Sequence, residues 1–259
     1  MTTSDPSSRI FLANVGVNAS HRFASPLFDD GSFEFITIPE TPADIRGENI
    51  VRYRDLKSFH DPNCDLTKYI PARLWDIPTH NDPEFETLTY GDNCGWSPRA
   101  AALKGMVPGD CLFFIVRLER WRSSSPTGEF GFYLIGFLEI EEVFANVTER
   151  PDGAAMNCIG RNAHVRRGLT NQKYLDGFWV FAGSQNSRRF KKAVPVTRDL
   201  CEQVFVAADG TPWRWEGGRT DLQVIGSYTR SCRCVINPAI SGQGERAGRF
   251  WEWIDACSV

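Results

Sequence analysis

The chain has 259 residues, enough to bury one large core and too few for several ordinary domains. Its 42% hydrophobic and 24% charged residues are those of a soluble globular protein, and the longest apolar run, Cys111 to Val116, is far too short to span a bilayer. A net charge of −3 argues against a nonspecific polyanion binder, but the charge is uneven: residues 1–100 hold nine basic and fifteen acidic side chains, whereas residues 161–198 hold nine basic ones against Asp176 alone.

No hydrophobic signal segment follows the polar start, so the expected setting is the cytoplasm, with no membrane partner. Residues 1–9 read as a flexible start. Ile10 to Val17 is an apolar run of strand length. It discharges into Gly16-Val17-Asn18-Ala19-Ser20-His21, which brings an amide, a hydroxyl and an imidazole to a strand's exit, where a rigid scaffold can present ligand-binding groups. Phe23 and Ser25 follow. Ser25-Pro26 and Asp29-Asp30-Gly31 are turn signals, and Phe33 to Ile38 predicts a second strand. The same Asn and Ser side chains also suit ordinary turn backbone.

Prolines 42, 62, 71 and 78 interrupt the next stretch and leave room only for short helices near Asp44 to Phe59. His60-Asp61-Pro62 and His80-Asn81-Asp82-Pro83-Glu84 place His and Asp before proline, which holds the preceding residue extended. Asp82, Glu84 and Asp92 near His80 suit acid, base or metal-ligand chemistry, and equally suit turn capping. Ser97 to Gly105 predicts a short helix with Ser97 as its cap. Cys111 to Leu118 and Phe132 to Ile140 predict an antiparallel pair joined by a polar loop, Glu119 to Glu129.

A basic tract follows, with His164, Arg166 and Arg167, then a strand over Gly177 to Ala182. That strand ends in Gly183-Ser184-Gln185-Asn186-Ser187-Arg188-Arg189-Phe190-Lys191-Lys192. Backbone amides of such a loop can cradle an anion, with Ser187, Arg188, Arg189 and Lys191 joining Arg166 and Arg167 on phosphates. The alternative is a solvated face paired with the acidic half. Thr197 to Phe205 predicts a helix, and Phe250 to Ile254 a second one that docks its Trp face. The eight cysteines show neither C-x-x-C nor zinc spacing, so they read as free thiols, and no metal or cofactor is expected. The fold expected is one mixed α/β domain with a central mixed sheet flanked by helices.

The order of these landmarks resembles the nucleotide-modification-associated domain of the third type, a family found with phage and DNA-modification systems. The likeness rests on Gly16-Val17-Asn18-Ala19-Ser20, Ser25-Pro26, Asp30-Gly31, Ile38-Pro39, His80-Asn81-Asp82-Pro83-Glu84, Gly109-Asp110 before an apolar strand, Gly136-Phe137-Leu138-Glu139-Ile140, and His164 before Phe178-Trp179-Val180. It spans roughly Val15 to Leu200. The family more often carries Asp where this chain has Asn18, and a second His beside His164 is absent here. Gly16 to Ser20 is also similar to the first loop of mismatch-specific uracil/thymine DNA glycosylases, in which the Asn positions water; Ala19 replaces that loop's proline. Gly183 to Arg188 is similar to their second loop.

These resemblances imply a DNA glycosylase acting on a hydroxymethylated or glucosylated pyrimidine of phage DNA, with DNA as partner, no obligate protein partner and no cofactor. Asn18 or Asp82 would hold the water and His164 or His80 would serve the departing base. Ser20, His21, Phe23, Ser25, Asp92, Ser184 and Asn186 would line the base pocket. Two alternatives stand beside it. One is a non-catalytic reader, since Gly109–Val116 with Phe132–Ile140 resembles PUA-like domains. The other is a base-modifying transferase, for which the chain shows no nucleotide-cofactor fingerprint.

Overall fold

Two apolar runs with no polar alternation must be covered on both faces, and in the computed structural model they form the centre of a large sheet. The structure describes residues 7–40, 50–207, 209–216 and 232–258. Numbered in chain order among those residues, β6 (Cys111–Arg122) and β7 (Ser125–Val147) pair antiparallel with Leu112 opposite Leu138 and Phe113 opposite Phe137. Successive side chains of β6 enter different cores. Cys111, Phe113 and Ile115 pack with Leu134, Phe190 and Phe250 on one face. Leu112, Phe114, Val116 and Leu118 pack with Tyr90, Ile135 and Phe181 on the other.

β1 (Ile10–Asn14) lies parallel to β6, and β10 (Arg233–Ile236) closes that edge. On the far side β7 carries β8 (Phe178–Gly183), which carries β5 (Thr89–Asp92). The order is β10-β1-β6-β7-β8-β5, with β2 (Ser25–Leu27) on β6 and β9 (Arg188–Pro195) on β7. A separate two-stranded piece joins β3 (Ile38–Pro39) to β4 (Thr79–His80). The described helices are α1 (Gly153–Ile159), α2 (Ala163–Thr170), α3 (Arg198–Gln203) and α4 (Gln243–Cys257). This is the expected mixed α/β architecture. As expected too, α4 buries Phe250 and Ile254 and lays Trp251 and Trp253 against the core.

Three local expectations change. Glu119 to Glu129 is no loop: β6 and β7 continue to a tight turn at Ser123-Ser124, whose φ values are +49° and +66°. Its polar side chains reflect exposure at the tip of a projecting ribbon. Two positive φ values suit a hairpin turn that prefers Asn-Gly, so Ser123→Asn with Ser124→Gly should stabilise the fold by about 1 kcal/mol, read as a shifted urea midpoint. Second, Ser97 caps nothing; a turn leads into a 3-10 segment at Ala101–Gly105, a stretch too short to nucleate an α-helix. Third, the cation-rich stretch from Arg188 is strand β9 rather than loop. The helix expected near Asp44 to Phe59 falls partly outside the described residues, with a 3-10 turn at Tyr53–Asp55, and most of the expected flexible start also lies outside them. All eight cysteines are free. No described helix is long and apolar enough to cross a membrane.

Candidate active site

β1 delivers the first wall. Its exit turns at Gly16 (φ +74°), where a Cβ would stand 2.8 Å from the Phe35 ring, so the turn requires glycine. Asn18 then folds its own loop: its Oδ1 accepts the Ser20 N–H (3.0 Å) and hydroxyl (2.7 Å), and its N–H donates to His21 Nδ1 (3.0 Å). That bond leaves the proton of neutral His21 on Nε2, and burial lowers the affinity of the ring for a second one.

The second wall comes from the β3–β4 pair, which sets Ile38 opposite His80 and so carries Glu40 beside it. His80 Nδ1 lies 2.9 Å from Glu40 Oε2. A carboxylate only accepts, so Nδ1 holds the proton and Nε2 faces Asp82 Oδ2 at 3.8 Å. Two residues on, buried Asp82 accepts the Gly91 N–H at Oδ2 (2.8 Å) and the Asn162 amide at Oδ1 (3.5 Å). Burial raises the Asp82 pKa well above the ordinary carboxyl value against the pull of the Gly91 hydrogen bond, with Asp92 and Glu84 adding to the rise.

The third wall is the start of α2. Asn162 caps the helix by accepting the His164 N–H (3.0 Å), and its amide also reaches Thr89 and Asp82, so one side chain ties the helix to the carboxyl. The His164 ring stands edge-on to His80, centroids 4.7 Å apart, with Nε2 3.8 Å from Asp82 Oδ2. Arg167 lies behind both histidines, with Nη2 3.1 Å from His164 Nδ1 and Nη1 3.6 Å from Glu40 Oε1. Arginine can only donate, so His164 Nδ1 accepts and the ring's proton sits on Nε2. Burial, then His80 and Arg167, lower the His164 pKa well below the ordinary value, in keeping with a neutral ring. A Cβ on Gly91 would meet His164 Cδ2 at 2.7 Å and Asn162 Oδ1 at 2.8 Å, so the cluster closes only over glycine.

These walls enclose a cavity of about 250 Å³, lined among others by Asn18, His21, His80, Asp82, Asp92 and His164. With Arg167, expected on a phosphate, seven of the residues expected from sequence thus meet in one place. Glu40, Tyr90 and Arg99 line it too. Asp92 accepts the Tyr90 hydroxyl (3.0 Å), and Arg99 donates to the Asn14 carbonyl (2.6 Å).

The remaining expected residues lie elsewhere. Ser20 supports Asn18, Phe23 packs against Tyr53, and buried Ser25 accepts the Ile36 N–H. Glu84 accepts the Glu86 and Thr87 amides and so caps a turn. Ser184 and Asn186 donate to Glu139, and the Ser187 hydroxyl accepts the Glu139 N–H. Arg188 lies over the Phe137 ring, Arg189 pairs with Glu34, and Lys191 is exposed. Arg166 lines a small recess behind Arg167. Among the residues the sequence did not single out, Glu40 and Asn162 carry most weight. The only local signals are an acid directly after the Ile38-Pro39 pair and an Asn at capping distance before His164.

A family model described as nucleotide modification associated domain 3 matches residues 9–205, which include every residue lining the cavity. No curated protein and no solved structure matches the chain.

Proposed function

The chain belongs to the nucleotide modification associated domain 3 family, and on that premise we propose that the cavity receives a modified pyrimidine extruded from phage DNA and hydrolyses its N-glycosidic bond. One observation carries the reading: an amide loop, Asn18, and a histidine–carboxyl cluster, His80, Asp82 and His164, open onto the same cavity. Cleavage leaves positive charge on the sugar, which the carboxyls of Asp82 and Asp92 suit. Water attacks C1′ while Asn18 positions it. His80, its ring held by Glu40, takes the water's proton on Nε2 and returns it to the departing base nitrogen. The volume is close to the lower end of ligand pockets, about 300 Å³, which favours a hydroxymethyl over a glucosyl substituent. Extrusion from the stack would supply the base.

The test uses duplexes containing cytosine, hydroxymethylcytosine or its glucosylated form. Alkali reveals abasic sites and mass spectrometry identifies the released base. Release from modified DNA alone is the expected result, reduced about 10- to 100-fold in Asn18→Ala. Selective binding without release would replace the glycosylase by a reader of modified bases.

A further inference from the structure

We infer that His80, Asp82 and His164 form a binding site for one divalent first-row transition-metal ion, held by the two Nε2 atoms and Asp82 Oδ2 and open to water from the cavity. Three potential ligand atoms from these residues lie within 4.8 Å of one another, with Asp82 Oδ2 3.8 Å from each Nε2. An ion about 2.0–2.2 Å from nitrogen and oxygen ligands spaces neighbouring ligand atoms by roughly 3–4 Å. Both spacings to Asp82 fall in that range, and rotamer adjustments that bring the two imidazoles together would complete the set. Two imidazoles and a carboxylate with open positions suit Fe(II), Mn(II), Co(II) or Zn(II), whereas calcium and magnesium favour oxygen donors.

Two further observations point to a cation. The outer shell is built as metal sites require: Glu40 accepts from His80 Nδ1, while Gly91 and Asn162 orient Asp82. Asp82 is also a buried carboxyl with no Lys or Arg within 4 Å among the described residues. An uncompensated charge in such a place costs several kcal/mol, and an ion would neutralise it. Arg167 works in the other direction. Its donation to His164 Nδ1 keeps the ring proton on Nε2, so ion uptake must move that proton to Nδ1 and shift the guanidinium toward Glu40.

The inference refines the water-activation step of the proposed reaction and rests on that reading only for the ion's role. Water on the ion is acidified; its hydroxide adds to C1′ and its proton leaves with the base. The Nε2 lone pair of His80 then serves the ion rather than the water.

Chelator-treated protein is titrated with Co²⁺, followed by visible absorption and by metal analysis after gel filtration. One tightly held Co²⁺ per chain is expected. Affinity should fall at least about 100-fold in Asp82→Asn and in His80→Ala, with folding checked by circular dichroism. Arg167→Gln should bind about 10-fold more tightly, because glutamine accepts from Nδ1–H and removes a neighbouring positive charge. Absence of stoichiometric binding overturns the site, as does binding that none of the three variants alters. Stoichiometric Co²⁺ without base release from any DNA leaves the site standing and removes the glycosylase. Undiminished release by protein shown to be metal-free removes the ion's catalytic role.

Discussion

Asp82→Asn is expected to cut base release by about 10²- to 10⁴-fold and, in chelator-treated protein, to raise the melting temperature. Asparagine keeps the shape and can still accept the Gly91 N–H, but it carries no charge to meet the positive sugar. The gain in stability follows from linkage. Burial raises the Asp82 pKa in the folded state, and Asp92 and Glu84 raise it further. Between the unfolded value, about 3.9, and the raised folded value, the native state binds more protons than the unfolded one. Unfolding free energy therefore falls as pH rises through that window. Each unit of the rise amounts to about 1.4 kcal/mol at neutral pH, which the asparagine would recover. Melting curves of both proteins should coincide near pH 4 and separate as pH increases. A variant that melts lower at pH 7 would mean that the Asn162 contact at Oδ1, which an asparagine amide cannot accept, outweighs the burial cost, and that Asp82 stabilises the fold.

The parts of this site that can be read from sequence are those whose chemistry is local. Asn18 and His21 stand at a strand's exit, His80 and Asp82 sit in one proline-held segment, and His164 opens a cationic stretch. Residue type suggests only that Asp82 and Asp92 gather near His80; the family and glycosylase resemblances join Asn18, His21 and His164 to them. Glu40 was not legible because its role arises from the register of β3 on β4, which sets Ile38 opposite His80 across forty-two positions. Asn162 was hidden by a capping role that reaches Asp82 only after the chain folds. The β6–β7 pairing was plain, since runs buried on both faces show no alternation. The extension of that hairpin to Ser123-Ser124 was not, because exposed strand residues read as loop. The basic tract shows a third limit: composition counts cations, but only the fold reveals that Arg189 is buried beside Glu34 while Lys191 is exposed.

Arg189 makes that last point measurable, because Arg189→Ala should destabilise the protein by about 3–5 kcal/mol. Only 12% of its side chain and 4% of the Glu34 side chain are exposed. Its Nη2 donates to Glu34 Oε2 (3.4 Å) and to the Phe33 carbonyl (3.3 Å), while the guanidinium lies over the Phe59 ring at 4.3 Å. Burial pulls its pKa down to about 10, with Glu34 opposing the fall. Alanine would leave Glu34 buried without its cation, and that uncompensated charge accounts for most of the loss. The pair Arg189→Met with Glu34→Gln removes both charges and should regain most of the stability, as hydrophobic replacement of buried ion pairs commonly does. A phosphate contact behaves differently: its loss lowers the salt slope of DNA binding by about one and leaves the melting temperature in place. Exposed Lys191 is the control for that behaviour. If Arg189→Ala melts like the parent while its salt slope drops, Arg189 belongs to the DNA-binding surface, and its contact with Glu34 contributes little to the fold.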